Sequence, residues 1–256
     1  MNQRIALIRN VSSSINECEL THRVRERIHV ELARKQHQDY ERALISLGCQ
    51  IIKLPEIPIL PDAVFVEDTA IVLNEIAIVT RPGALSRRNE TASVSTILAN
   101  YRQIVSIKTP GTLEGGDILV MRSNIYAGLS HRSNLEGIHQ LDNIVSPYGY
   151  SVCPVPVKGC LHLKSAVTRI SDDAVLMNPN RVDPDIFSAY IRILVDSSEP
   201  DAANVVSVGN KLVYPSAYPK TMERLGKVVI PVDISELIKA EGAVTCCSII
   251  FNGDTL

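Results

Sequence analysis

The hydrophobic pattern changes period along the chain. Residues 4–9, RIALIR, form an almost unbroken apolar run and predict a strand. Over residues 29–48 the period lengthens. Ala33, His37, Tyr40, Leu44 and Leu47 recur at helical spacing, and Gly48 stands where a C-terminal cap belongs. CQIIKLP then returns to a strand, stopped by Pro55. Further helices are predicted near residues 87–100, 131–147, 183–194 and 217–225. Strand–turn–strand segments are predicted at 65–83, 113–130, 161–179, 203–219 and 243–253.

These paired segments share a feature. Each begins with one polar or reactive residue in apolar company: Glu67, Glu114, His162, Asn204 and Cys246. Successive members are 47, 48, 42 and 42 residues apart. A period of that size, built from two strands and a helix, predicts a closed α/β array of like units, the first of them split between the chain's two ends. Equivalent positions would then converge on one axis. The same rough spacing also arises in ordinary β/α proteins, so the pattern alone does not settle the architecture.

Composition narrows the class without naming it. The chain has 256 residues, 45% hydrophobic and 21% charged, enough for a substantial core. A formal net charge of −2 argues against nucleic acid or an anionic membrane as the principal partner. MNQRIALIRN is too short and interrupted for a signal peptide, and no apolar run approaches a membrane span, so a cytoplasmic protein is expected. The six cysteines form no C-x-x-C pair and the six histidines no clustered ligand set, which points away from a zinc or redox site.

The chemistry lies in the convergent positions. EGAVTCCSIIF, residues 241–251, reads as a buried strand. Its neighbouring cysteines would then face opposite ways. Cys247 would share a face with Ile249 and Phe251 and pack, leaving Cys246 as the inward nucleophile. A free thiol, pKa about 8.5, is only roughly 3% thiolate at neutral pH, so it needs a base or a cation. His162 is the candidate base. Asp62, Glu67 and Asp68 lie in an apolar run, with Glu114 further on, and such acids need positive partners. Either protein arginines such as Arg81, Arg87 and Arg88 neutralise them, or a cationic ligand does. A guanidinium fits the second reading: acids grip its fork, a thiolate attacks its flat carbon, and an acid protonates the departing nitrogen. Such a cation about 4 Å from the sulfur is worth on the order of 4 kcal/mol at an effective dielectric of 20. The substrate would therefore help to create its own nucleophile.

FVEDTAIV, RPGALSRRNE, LEGGDIL, GLSHRSN, LHLKSAVT, AANVV and EGAVTCCS, taken in order, resemble the dimethylarginine dimethylaminohydrolases, over about residues 4–251. The resemblance implies the pentein α/β-propeller, five pseudo-symmetric ββαβ-type units around a central active site, as one domain over 1–256. It implies hydrolysis of Nω-methylated arginine to citrulline and a methylamine through a covalent Cys-thiouronium. Arginine deiminase or another guanidine hydrolase on the same fold is the alternative, followed by a non-catalytic binding protein. By position, Cys246 would be the nucleophile, His162 the general acid and base, and Glu114 the residue that orients it. Asp68 would hold the guanidinium with Glu67 beside it. Asp62 would meet the α-amino group, and Arg87 and Arg132 the α-carboxylate. Leu20 matches a lid residue, and Ala240 a position whose carbonyl touches the amine. His131 and Glu241 depart from the usual pattern, which has Lys or Arg at the first and in some members Asp at the second. No cofactor or metal is called for, although a Cys–His–carboxylate site can capture Zn²⁺. The expected partner is a small-molecule substrate, with no nucleic acid or membrane and a homodimer allowed.

Overall fold

The computed structural model describes residues 3–226 and 228–253. Its strands form five three-stranded sheets built to one plan. In each, an inner strand pairs antiparallel with a middle strand, which pairs parallel with an outer one. The inner strands are Ala70–Val72, Ile118–Met121, Val167–Arg169, Val206–Val208 and Ile249–Asn252. The middle strands are Ile76–Val79, Asn124–Leu129, Ala174–Met177, Lys211–Pro215 and Arg4–Arg9. The last sheet joins the two ends of the chain: Arg4 pairs with Asn252 and Leu7 with Ile249. The split unit expected from the spacing is therefore present.

A parallel neighbour requires a crossover, and the crossovers supply the helices. Val30–Ser46 crosses within the split unit. It buries Ala33, His37, Tyr40 and Leu44, and Gly48, at φ +85°, ends it in the left-handed conformation that glycine adopts freely. Thr91–Leu98 and Leu135–Val145 follow at two of the other expected places. Middle strands are almost wholly buried, outer strands mostly exposed. The inner strands of all five units line a central cavity of about 740 Å³.

Two helical expectations change. Residues 183–194 hold a single 3-10 turn, Pro184–Phe187, followed by the outer strand Ile191–Leu194. The capping Asp183 and Pro184 do start a helical turn. Beyond it, β-branched Ile191 and Ile193 alternate with other residues, and the segment pairs in parallel with Ala174–Met177. The helix near 217–225 shrinks to Pro219–Met222. No helix among the described residues is long and apolar enough to cross a membrane.

Candidate active site

Each inner strand is preceded by an irregular turn, and these turns meet at one end of the channel. Glu67 and Asp68 lie in the 3-10 turn Val66–Thr69, Glu114 precedes the turn Gly115–Asp117, and His162 precedes the turn Leu163–Ser165. The cysteine pair sits in the turn Thr245–Cys247, so the strand expected there begins only at Ile249. Strand alternation is therefore not what separates the two thiols. Cys247 is fully buried in the core that includes Tyr40, Phe65 and Val244, whereas Cys246 keeps partial exposure.

The glycines of LEGGD let these turns close on one another. A Cβ on Gly115 would meet the Glu67 carbonyl oxygen at 2.0 Å. One on Gly116 would lie 2.6 Å from His162 Nδ1 and 2.7 Å from Asp68 Oδ1. His162 Nε2 is 2.7 Å from Glu114 Oε2, and its Nδ1 is 3.9 Å from Asp68 Oδ1. Glu114 Oε1 accepts from the Gly83 amide at 3.0 Å and from Arg132 Nη1 at 3.5 Å. Asp68 Oδ1 accepts from the Gly116 amide at 3.0 Å, and its Oδ2 from Arg87 Nη1 at 2.7 Å.

Protein cations thus neutralise part of the acid cluster. Arg87 is buried and also grips Glu90 through Nε at 3.2 Å and Nη2 at 2.9 Å. Glu67 is held by Lys164 at 2.6 Å and by the Thr245 hydroxyl at 2.7 Å, closing the floor between the site and the central cavity. Asn204 donates to the Lys164 carbonyl and to Thr245 Oγ1, both at 3.0 Å, and so ties neighbouring turns together. Asp62 accepts from the Glu19 amide at 3.1 Å, beside the half-buried Leu20. Ala240 is buried. The next residue, Glu241, adopts φ +57° and places its carboxylate on the amides of Thr21, His22 and Arg23. A cavity of about 350 Å³ lies between His22 and Arg23, the turn at Cys160 and residues 241–243.

Burial opposes charge on His162, but Asp68, Asp117 and Glu114 outweigh it and raise its pKa to about 9. Burial, then Glu67 and Asp68, push the Cys246 thiol well above its ordinary value. These opposite shifts favour a neutral thiol at Cys246 and a protonated imidazole at His162. Asp68, Glu114 and His162 offer ligand atoms within 4.8 Å of one another. Arg87 already supplies positive charge to Asp68 and lies 3.9 Å from Glu114, so these donors are poorly free for a metal ion.

Comparison with known proteins supplies the family. The family described as N,N dimethylarginine dimethylhydrolase, eukaryotic, matches residues 4–251. The N(G),N(G)-dimethylarginine dimethylaminohydrolase of Streptomyces coelicolor is 38% identical, over 97% of both chains. The chain belongs to the dimethylarginine dimethylaminohydrolase family. The Pseudomonas aeruginosa member is 37% identical, over 86% of this chain and 88% of that one. Its crystal structure, a mutant complexed with citrulline, superposes with a TM-score of 0.90 at 33% identity, covering 98% of this chain and 100% of that one. The N-terminal domain of a cyanobacterial arginine dihydrolase, 19% identical, matches with a TM-score of 0.87 over 97% of both chains and shares the fold alone. That fold is the pentein ring, here five small sheets around one site.

Residues outside the sequence expectation also shape this site. Lys164 follows His162 by two positions in LHLKSAVT and is a cation available to one of the acids. Asp117 is a further acid inside the apolar run of LEGGDIL, and Glu90 lies one turn beyond Arg87. Lys164 and Asp117 each interrupt an apolar stretch and so left a trace in the sequence, whereas Glu90, in the polar SRRNE, left none beyond its spacing from Arg87.

Proposed function

We propose that the chain hydrolyses the guanidinium group of Nω-methylated arginine, yielding citrulline and mono- or dimethylamine. The observation that carries this reading is an imidazole held by a buried carboxylate, His162 on Glu114 at 2.7 Å, within a family of dimethylarginine dimethylaminohydrolases.

In this reading the substrate guanidinium docks against Asp68, with Glu67 beside it. Arg87 reaches the substrate's α-carboxylate only by releasing Asp68, whose oxygen the incoming cation then takes. Arg132 shares the carboxylate. Asp62 and the Ala240 carbonyl meet the α-amine, and Leu20 covers the pocket. The arriving positive charge drives the Cys246 proton off to solvent, since His162 already holds its own, and the thiolate attacks the guanidinium carbon. His162 donates a proton to the departing amine, and the C–N bond breaks to leave a thiouronium. Water then adds to that carbon while His162 takes its proton. Collapse releases citrulline and restores the thiol.

The expected partner is this small molecule, acting in the cytoplasm, where six unpaired thiols would persist. A test for the ureido product, citrulline from arginine, monomethylarginine and asymmetric dimethylarginine and N-carbamoylputrescine from agmatine, checks the reading. Turnover of the methylated forms supports it. Preference for free arginine would make the chain a deiminase, and no ureido product from any of the four would make it a binding protein.

A further inference from the structure

We propose that Asp117 is a positioning residue that sets the placement of Glu114, Arg132 and His162 together through three hydrogen bonds to one buried carboxylate. The inference rests on the site assignment above.

Asp117 is fully buried, and its side-chain partners are all donors. Its Oδ2 accepts from Ser130 Oγ and Ser133 Oγ, each at 2.6 Å, and its Oδ1 from the Leu163 amide at 2.9 Å. Each bond continues to a residue of the site. Ser133 Oγ accepts from the Glu114 amide at 3.0 Å. Ser130 Oγ accepts from the Arg132 amide at 3.0 Å and the Ser133 amide at 3.2 Å. The Leu163 amide is on the peptide bond that leaves His162. The packing leaves no slack: a Cβ on Gly128 would sit 2.5 Å from Asp117 Oδ1 and 2.9 Å from the Leu163 Cβ.

An asparagine of the same size cannot reproduce this arrangement. If its amide nitrogen faces Leu163, two N–H donors confront each other. If it faces the serines, it meets Ser130 Oγ, whose two acceptor positions already serve backbone amides. One strap is lost either way, and the negative charge near His162 disappears. A buried network of this kind fixes geometry only while every member is satisfied.

The straps end at different places, so their removal has different kinetic signatures. Ser130→Ala loosens the Arg132 turn and raises KM for methylated arginine by about 10-fold with little change in kcat. Ser133→Ala loosens Glu114 and lowers kcat by about 10-fold with little change in KM. Asp117→Asn lowers kcat by about 100-fold, raises KM, and shifts the His162 imidazole titration down by about one pH unit, read by NMR on histidine-labelled protein. The His162 signal is assigned by its loss in His162→Gln. Equal effects of the two serine variants on KM and kcat would overturn the proposal, as would a folded Asp117→Asn with unchanged titration. If Asp117→Asn does not fold, the serine variants decide alone. Unimpaired turnover in His162→Gln or Arg132→Ala would instead refute the site assignment, and the NMR titration would still judge whether Asp117 governs His162.

Discussion

Glu114 meets His162 through Nε2 at 2.7 Å, and this choice of nitrogen leaves Nδ1 facing Asp68 at 3.9 Å. The ring is pinned by Glu114 on one side and faces Asp68 on the other. Its raised pKa, about 9, means that the folded protein holds the imidazole proton through neutral pH. The proton for the departing amine is therefore in place below that value and is lost as pH rises through it. At saturating dimethylarginine, where the bound cation has already ionised Cys246, kcat should fall above about pH 9, by roughly tenfold per pH unit. A profile still level at pH 10.5, about 1.5 units higher, would exclude the imidazolium as the proton donor.

The two neighbouring thiols should separate cleanly. Cys246→Ser should abolish citrulline formation, because a serine hydroxyl is a far weaker nucleophile than a thiolate. Cys247→Ser should keep most activity at a cost in thermal stability, since it places a hydroxyl in an apolar core, where it can still donate to the Ala243 carbonyl. Intact-mass detection of a trapped thiouronium on the Cys247→Ser protein, and its absence on Cys246→Ser, would locate the reacting sulfur. Similar residual activity in both would show the assignment to be wrong.

Gly116→Ala tests how closely the turns must approach. The added methyl would lie 2.6 Å from His162 Nδ1 and 2.7 Å from Asp68 Oδ1, so one of those side chains has to move. A displacement near 1 Å costs about 100-fold in rate. Turnover should fall by that order while circular dichroism stays native. Activity within a factor of about two of the parent would mean that this contact is not needed for catalysis.

His37 predicts acid sensitivity away from the site. Burial, then the charge of Lys53, lower its pKa to about 4 from the ordinary 6.5, so it folds neutral. The unfolded chain takes up a proton below 6.5 and the folded protein does not. This contribution to stability is present above pH 6.5 and is lost as pH falls toward 4, by roughly 1.4 kcal/mol per pH unit. Urea unfolding midpoints should decline through that window, and His37→Gln should flatten the decline. An unaltered slope in the variant would assign the acid sensitivity to the carboxylates instead.

Much of the ring was legible because its units repeat. The residues that start each segment, from Glu67 to Cys246, do precede the five inner strands, and the helix Val30–Ser46 carried its period and its cap openly. What misled was local. Where a helix was expected over 183–194, Asp183 caps a single turn at Pro184–Phe187, and pairing with a middle strand takes the rest. The strand expected around Cys246 failed because apolar residues in a 3-10 turn look the same as those in a buried strand. Lys164 and Asp117 showed as charges in apolar runs, but only spatial neighbours say which residue each one holds.

The seam of the ring has a consequence for when the protein becomes reactive. The strand that zips onto Arg4–Arg9 starts at Ile249, three residues beyond Cys246, so the same docking that shuts the circle also seats the sulfur. In a molecule whose circle is still open, Cys246 is not yet beside Glu67 and Asp68, the acids proposed to hold the substrate cation.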